Sequence, residues 1–368
     1  MPLSFRFAIV SDPHIALPKT IWDNPSRFHL VEVSIPALEY VLAELAELNL
    51  DFLLVPGDLT QHGEPENHEW FATRLAQLPY PVYVVPGNHD IVQRDRTEQA
   101  IGLHEFAGFY QKFGYCDGAQ PYYVREVVPG VALVGLNSIA FDEIGTQLNT
   151  GLVDEAQLHW LRTTLAELNA SLVMVMIHHN VLEHMPGQSR HSMGQRYMLH
   201  NAPELLALLR SHQVPLVFTG HLHVQDIAQE QGITEITTGS LVSYPHPYRV
   251  LHYTEDDQGD RHLRVETYHV PSVPGWEDLA AQSREWMGDR SNHFMYRFLT
   301  QPPISMSPQE AQELVPDLRY FWADIARGDA QIDYPHFPKR VRRYLQAFSA
   351  VDPQGNLQLT DNNTILKL

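Results

Sequence analysis

The chain has 368 residues, 44% of them hydrophobic, and a formal net charge of -19. That acidity disfavours a surface that neutralises many phosphates at once, so long DNA or RNA is not an expected partner, and no apolar run is long enough to span a bilayer. A single cysteine, Cys116, excludes an intramolecular disulfide and thiolate clusters, which leaves nitrogen and oxygen to hold any metal.

The opening residues MPLSFRFAIV lack the basic, apolar and small-residue order of a secretory leader and read as a strand over 5–10, so the expected location is the cytoplasm. Apolar residues at helical spacing follow from Val33 to Leu48, with Pro36 tolerable near the start, and then the strand DFLLV at 51–55. A helix over Glu66 to Leu78 precedes the strand PVYVV at 81–85. Helices near 97–113 and 154–168 flank strands at 121–128 and 131–136, and further strands are expected at 172–177, 215–219, 233–238, 249–254 and 262–269, with a helix over 203–211. This alternation argues for an α/β layered core. Proline and glycine density rises at Val270–Gly275, where the strand signals stop. Helical patterns over Ser307–Arg327, opening with Ser307 at an N-cap position, and Pro338–Ala350 then make 273–368 a helical C-terminal extension of a 1–272 α/β domain.

Five strands are followed at once by metal-compatible side chains: Asp12-Pro-His14, Gly57-Asp58, Gly87-Asn88-His89-Asp90, His178-His179 and Gly220-His221-Leu222-His223. Any one of these is more often turn chemistry than a ligand set. Their joint occurrence beyond strand ends, where α/β sheets place their sites, calls for a common cause. Six of the 21 histidines fall in these clusters, so part of the excess is ordered rather than merely numerous.

The order D-x-H, G-D, G-N-H-D, H, G-H-x-H over residues 5 to about 270 resembles the calcineurin-like metallophosphoesterase superfamily, whose fold is a four-layer αββα sandwich. Within it, GDLTQHGEPENHEWF followed by VPGNHD is similar to the bacterial class III cyclic-nucleotide phosphodiesterases. The resemblance implies two divalent ions per chain. Asp12, His14 and His223 would hold the first and Asn88, His178 and His221 the second, with Asp58 bridging them and His89 and Asp90 beside the phosphate. The family's usual proline two residues after the ligand histidine is Asn180 here, which leaves His178 and His179 both open as the ligand.

Physical chemistry agrees with these roles. One carboxylate offers two oxygens to two cations, while imidazoles and an amide add no negative charge, so the site stays positive toward a phosphate. Water between two such ions loses a proton near neutral pH and can attack phosphorus directly, without a covalent intermediate. His89, held in one tautomer by Asp90, would donate a proton to the leaving oxygen. Manganese, iron or zinc suits nitrogen and oxygen donors. His62, His179, Arg190, Arg196 and the Tyr244–Tyr248 turn are weaker candidates for facing substrate. No nucleotide-binding P-loop, dinucleotide fingerprint, serine elbow or H-E-x-x-H motif competes.

The expected activity is metal-dependent hydrolysis of small phosphodiesters, cyclic nucleotides among them. A phosphomonoesterase (nucleotidase or protein phosphatase) is the alternative, and a non-catalytic binding module, as in the retromer scaffold subunit, is the more distant one. The expected partner is a small phosphate ester, with no membrane and with self-association between copies left open.

Overall fold

The short apolar runs become strands, and those that read as wholly apolar are buried on both faces, as parallel strands between layers must be. The computed structural model describes residues 3–22, 27–116, 120–352 and 354–368. Strands β1 (Ser4–Ile9), β2 (Phe52–Val55) and β3 (Val82–Val84) run parallel. Next, β4 (Tyr123–Val128) pairs antiparallel with β5 (Val131–Gly135), and β6 (Leu172–Met176) and β7 (Leu216–Thr219) continue from β5 in parallel. The half-exposed strand β8 (Asp226–Glu230) folds back on β9 (Ile233–Thr237), which lies parallel to β7. Finally β10 (Pro247–Glu255) pairs antiparallel with β1, β11 (Arg261–His269) with β10, and β12 (Thr364–Lys367) with β11. The resulting sheets have the orders β12-β11-β10-β1-β2-β3 and β4-β5-β6-β7-β9-β8.

Side-chain alternation shows how the sheets stack. Along β6 and its exit, Met174 and Met176 join the core shared by both sheets, whereas Val175 and Ile177 join a second cluster. Phe7 on β1 stacks on Phe52 at 4.9 Å and meets Phe218 of the other sheet edge-on at 5.5 Å, so the layers are joined by ring contacts. Helices α1 (Ser34–Ala46), α2 (Pro65–Leu75) and α3 (Leu103–Phe109) bury apolar faces in the shared core, as Leu38, Val41, Phe71 and Phe106 show. On the other side, α4 (Glu155–Glu167), the single turn α5 (Ser192–Gln195) and α6 (Ala202–Ser211) follow, and Leu161, Leu165, Leu205 and Leu209 close the second cluster. The architecture is the expected αββα sandwich.

Local chemistry sets the departures. The helix expected near 97–113 starts only at Leu103, because Thr97 Oγ1 accepts the Ala100 N–H in a turn and Glu105 accepts the Gly102 N–H. After the sandwich come α7 (Leu279–Thr300), capped by Asp278, and α8 (Pro308–Leu314), whose Ser307 and Glu310 cap each other reciprocally. Pro316 lacks an N–H and turns the chain through Val315–Leu318 before α9 (Phe321–Ala326), so the expected 307–327 segment is two helices. After α10 (Lys339–Gln346) the tail is not helical to its end, since β12 returns to the edge of the first sheet.

The tail packs on the sandwich through its own core. Met295, Leu299, Leu318, Phe321 and Leu345 enclose Leu222 and Val224 from the loop after β7. Arg249 on β10 ties the tail a second time: fully buried, it donates to the carbonyls of Asp361 at 2.6 Å and Thr237 at 3.1 Å. Replacing it leaves both carbonyls unsatisfied. Arg249→Met should therefore lower stability by about 2–4 kcal/mol, read as a lower urea midpoint.

Candidate metal centre

The parallel strands of both sheets end on the same side of the sandwich, which brings the five clusters to one place. Turning the chain there demands unusual backbone. Asp12, His14, Asp58, His221 and His223 all have φ between 41° and 64°, in the left-handed region where side chains are strained. Such residues persist only where surrounding structure fixes them. Gly57 at φ 94° and Gly87 supply the close approaches: a Cβ on Gly57 would overlap the His178 ring, and one on Gly87 would overlap Asp58.

Ligand atoms converge in two sets that share Asp58. Its Oδ2 lies 3.6 Å from His14 Nε2, and its Oδ1 lies 3.4 Å from His178 Nε2. Around the first oxygen, His14 Nε2 faces His223 Nε2 at 3.4 Å, and His223 Nε2 is 3.3 Å from Asp12 Oδ1. Around the second, His178 Nε2 faces Asn88 Oδ1 at 3.1 Å, with His221 in the same group. Lone pairs facing one another across buried space, with too few protons to separate them, are what cations resolve, and these oxygen and imidazole donors fit a pair of divalent ions.

Neighbouring groups orient the rings. His178 Nδ1 donates to the Pro56 carbonyl at 2.8 Å, which turns Nε2 toward Asp58. His221 Nε2 meets the Arg196 carbonyl at 3.1 Å, leaving Nδ1 for the cluster. Asp12 also accepts the His221 backbone N–H at 3.1 Å and a hydrogen bond from Ser11. Of the two histidines after β6, His178 sits in the cluster, whereas His179 Nδ1 pairs with Ser138 Oγ at 2.8 Å and the residue lines the adjoining cavity.

Burial, then the neighbouring His29, pulls His14 well below the usual histidine range, and burial followed by His179 and His178 does the same to His221. Both rings are neutral and ready to bind a cation. Burial would also lower His178, but the Asp58 charge and hydrogen bond outweigh it and hold this histidine at about 9.

One expectation needs correcting. His89 Nδ1 is not held by Asp90 but bonds the Gln61 carbonyl at 2.7 Å. The Asp90 carboxylate turns into the protein, where it accepts from the backbone of Leu59, Thr60 and Gly87 at 3.1, 2.9 and 2.8 Å and from Thr60 Oγ1. Asp90 therefore locks the loops carrying Asp58 and Asn88 together.

The cavity over the cluster has a volume of about 610 Å³, within the roughly 300–1,000 Å³ of small-molecule sites. His62 and Arg196 line it, while Arg190 and the Tyr244–Tyr248 turn do not. Asn180, in place of the family's usual proline, instead donates to Thr219 and to buried Glu235 at 3.0 Å each. Sequence reasoning missed His29, whose ring stacks on His14 at 4.4 Å and 8° and which offers a nitrogen to the first set. Its surroundings, FHLVEV, carry no motif, and only the histidine excess hinted at it.

Two back-to-back sheets whose strand ends gather carboxylates, an amide and imidazoles define the metallophosphoesterase class. Residues 5–225 match the calcineurin-like phosphoesterase family, and the chain belongs to that family, whose members use divalent metal ions. The chain is 29% identical over 204 residues to a Synechococcus protein named "Probable cyclic nucleotide phosphodiesterase", covering 55% of this chain and 69% of that one. It is 26% identical over 196 residues to a Nostoc 3',5'-cyclic-nucleotide phosphodiesterase, covering 52% and 64% respectively, less than two thirds of that relative's length. The crystal structure of a dimetal phosphatase from Danio rerio shares the fold at 17% identity and a TM-score of 0.53, covering 72% of this chain and 96% of that one. Among the described residues, no helix is long and apolar enough to cross a membrane.

Two expectations follow. Because His178 carries a proton at neutral pH that a cation must displace, binding of Mn²⁺ to metal-free protein should release about one proton per chain and tighten as pH rises from 7 to 9. Calorimetry in buffers of different ionisation enthalpy checks this, and a buffer-independent enthalpy would contradict it. Separately, Gly87→Ala should weaken Mn²⁺ binding at least tenfold by displacing Asp58, measured by metal content after dialysis.

Proposed function

We propose that the chain hydrolyses small phosphodiesters, with Asp12, His14 and His223 holding one divalent ion, Asn88, His178 and His221 a second, and Asp58 both. The observation that carries this reading is the Asp58 carboxylate, whose two oxygens face two separate histidine sets. When bound, the ions would supply Lewis-acid stabilisation of the phosphoryl charge and a nucleophile of lowered pKa. Manganese, iron and zinc all suit such donors, and availability decides among them.

The chain's own side chains do the rest. His89 lines the cavity, and its Nδ1–H donates to the Gln61 carbonyl, so Nε2 is the ring atom left for the substrate and, in the imidazolium form, the one that gives a proton to the leaving oxygen. The Asp58 carboxylate accepts the His89 backbone N–H at 2.7 Å, which fixes this histidine relative to the ligand cluster. Arg196 lines the cavity as the cation available to phosphate oxygens, while its carbonyl orients His221. Relatives named as phosphodiesterases support a diester substrate and, among diesters, cyclic nucleotides.

Hydrolysis of bis(p-nitrophenyl) phosphate and p-nitrophenyl phosphate by Mn²⁺-loaded protein tests the reading. The diester should be preferred, Asp58→Ala should abolish turnover, and His89→Gln should lower kcat about 10²–10⁴-fold. Preference for the monoester would move the assignment to a phosphomonoesterase. Absence of turnover on both esters with two ions bound would favour a binding role.

A further inference from the structure

The wall of the cavity that faces away from the sheets is aromatic, and two of its rings come from the tail beyond the family match, which ends at residue 225. Phe294 on α7 and Trp322 on α9 line the cavity together with Phe28, which precedes His29. Phe294 meets Phe28 edge-on at 6.0 Å and Trp322 at 5.5 Å, so the three rings form one connected surface. Behind them, Tyr244, Met287 and Ala323 pack against Trp322 and Phe28, which fixes their orientation. All three rings remain partly exposed, so they are accessible from the cavity they line.

Arg27 lines the same cavity and points to what the wall receives. It is only 7% exposed, its Nη2 is paired with Glu32 at 2.5 Å, and its Nε and Nη1 have no hydrogen-bond partner. Buried N–H donors left unpaired are costly unless a ligand satisfies them. Flat apolar faces combined with unpaired donors match a planar heteroaromatic ring that carries acceptor atoms at its edge. A nucleobase has that chemistry and a glycerol group does not; a quaternary ammonium could meet the rings by cation–π contact, but it offers Arg27 no acceptor and carries the same charge.

We propose that Phe28, Phe294 and Trp322, with Arg27, form a base-binding subsite, so that the C-terminal extension gives the enzyme its preference for nucleoside-bearing phosphodiesters. This rests on the phosphodiesterase reading above. The tail is then a wall of the active site as well as a packing layer on the sandwich.

The test compares kcat/KM of Mn²⁺-loaded, full-length protein for 3′,5′-cyclic AMP and for glycerophosphoglycerol, an aliphatic diester without a ring or a cation, followed by glycerol release. Base–aromatic stacking corresponds to about 10–100-fold in binding. Trp322→Leu should therefore lower the ratio of cyclic AMP to glycerophosphoglycerol kcat/KM at least tenfold, chiefly through KM, and Trp322→Phe should restore most of it. Phe294→Leu provides the same comparison if Trp322→Leu fails to fold, and Arg27→Met should shift the ratio in the same direction. An unchanged ratio, or equal losses on both diesters, would overturn the subsite. Wild-type turnover of glycerophosphoglycerol without turnover of cyclic AMP would overturn it while leaving the phosphodiesterase reading intact, whereas failure to hydrolyse either diester would count against that reading itself.

Discussion

The site depends on one buried carboxylate that faces two ways. Asp58 is almost fully buried, yet each oxygen meets a different imidazole set. Burial alone would push the Asp58 carboxyl up, but the charge and hydrogen bond of His178, with His89 and His14, outweigh it and hold the group well below the usual carboxylate range, ionised and ready for cations. The arrangement fits two cations that would share this carboxylate between them. The strained backbone at Asp12, His14, Asp58, His221 and His223 has the same meaning: ligand geometry takes precedence over local conformational preference.

Rigidity around that carboxylate comes from both ends of the chain. Asp90 gathers backbone donors from the loops after β2 and β3, and Pro56 fixes the His178 ring. Leu222, between two candidate ligands, is buried in the core built by the tail helices. Its side chain anchors the loop that carries His221 and His223, so packing in the extension is coupled to the metal centre. Arg249 and the edge strand β12 fasten the far end of the same extension.

Much of this was legible in the sequence because strand ends and metal ligands occupy contiguous motifs. The five clusters lie beside apolar runs, the α/β layering follows from their alternation, and the αββα order is what the family resemblance of the motifs implied. What was illegible came from distance in the chain. His29 stacks on His14 although the two are well separated in sequence, and the Gln61 carbonyl rather than adjacent Asp90 orients His89. Main-chain acceptors leave no trace in residue identity, so sequence neighbours were a poor guide to that bond. The weak strand β8 and the returning strand β12 have few buried residues and owe their pairing to the sheet edges they meet. The aromatic wall was hidden for a similar reason, since Phe28, Phe294 and Trp322 meet only after the tail has folded over the sandwich.

The central claim is that one carboxylate serves two metal ions, and electron paramagnetic resonance of the Mn²⁺-loaded protein tests it most directly. Two ions sharing Asp58 should give an exchange-coupled signal at two Mn²⁺ per chain, replaced in Asp58→Ala by the spectrum of isolated ions or by none. A spectrum of isolated Mn²⁺ in the wild-type protein, or saturation at one ion per chain, would contradict the account.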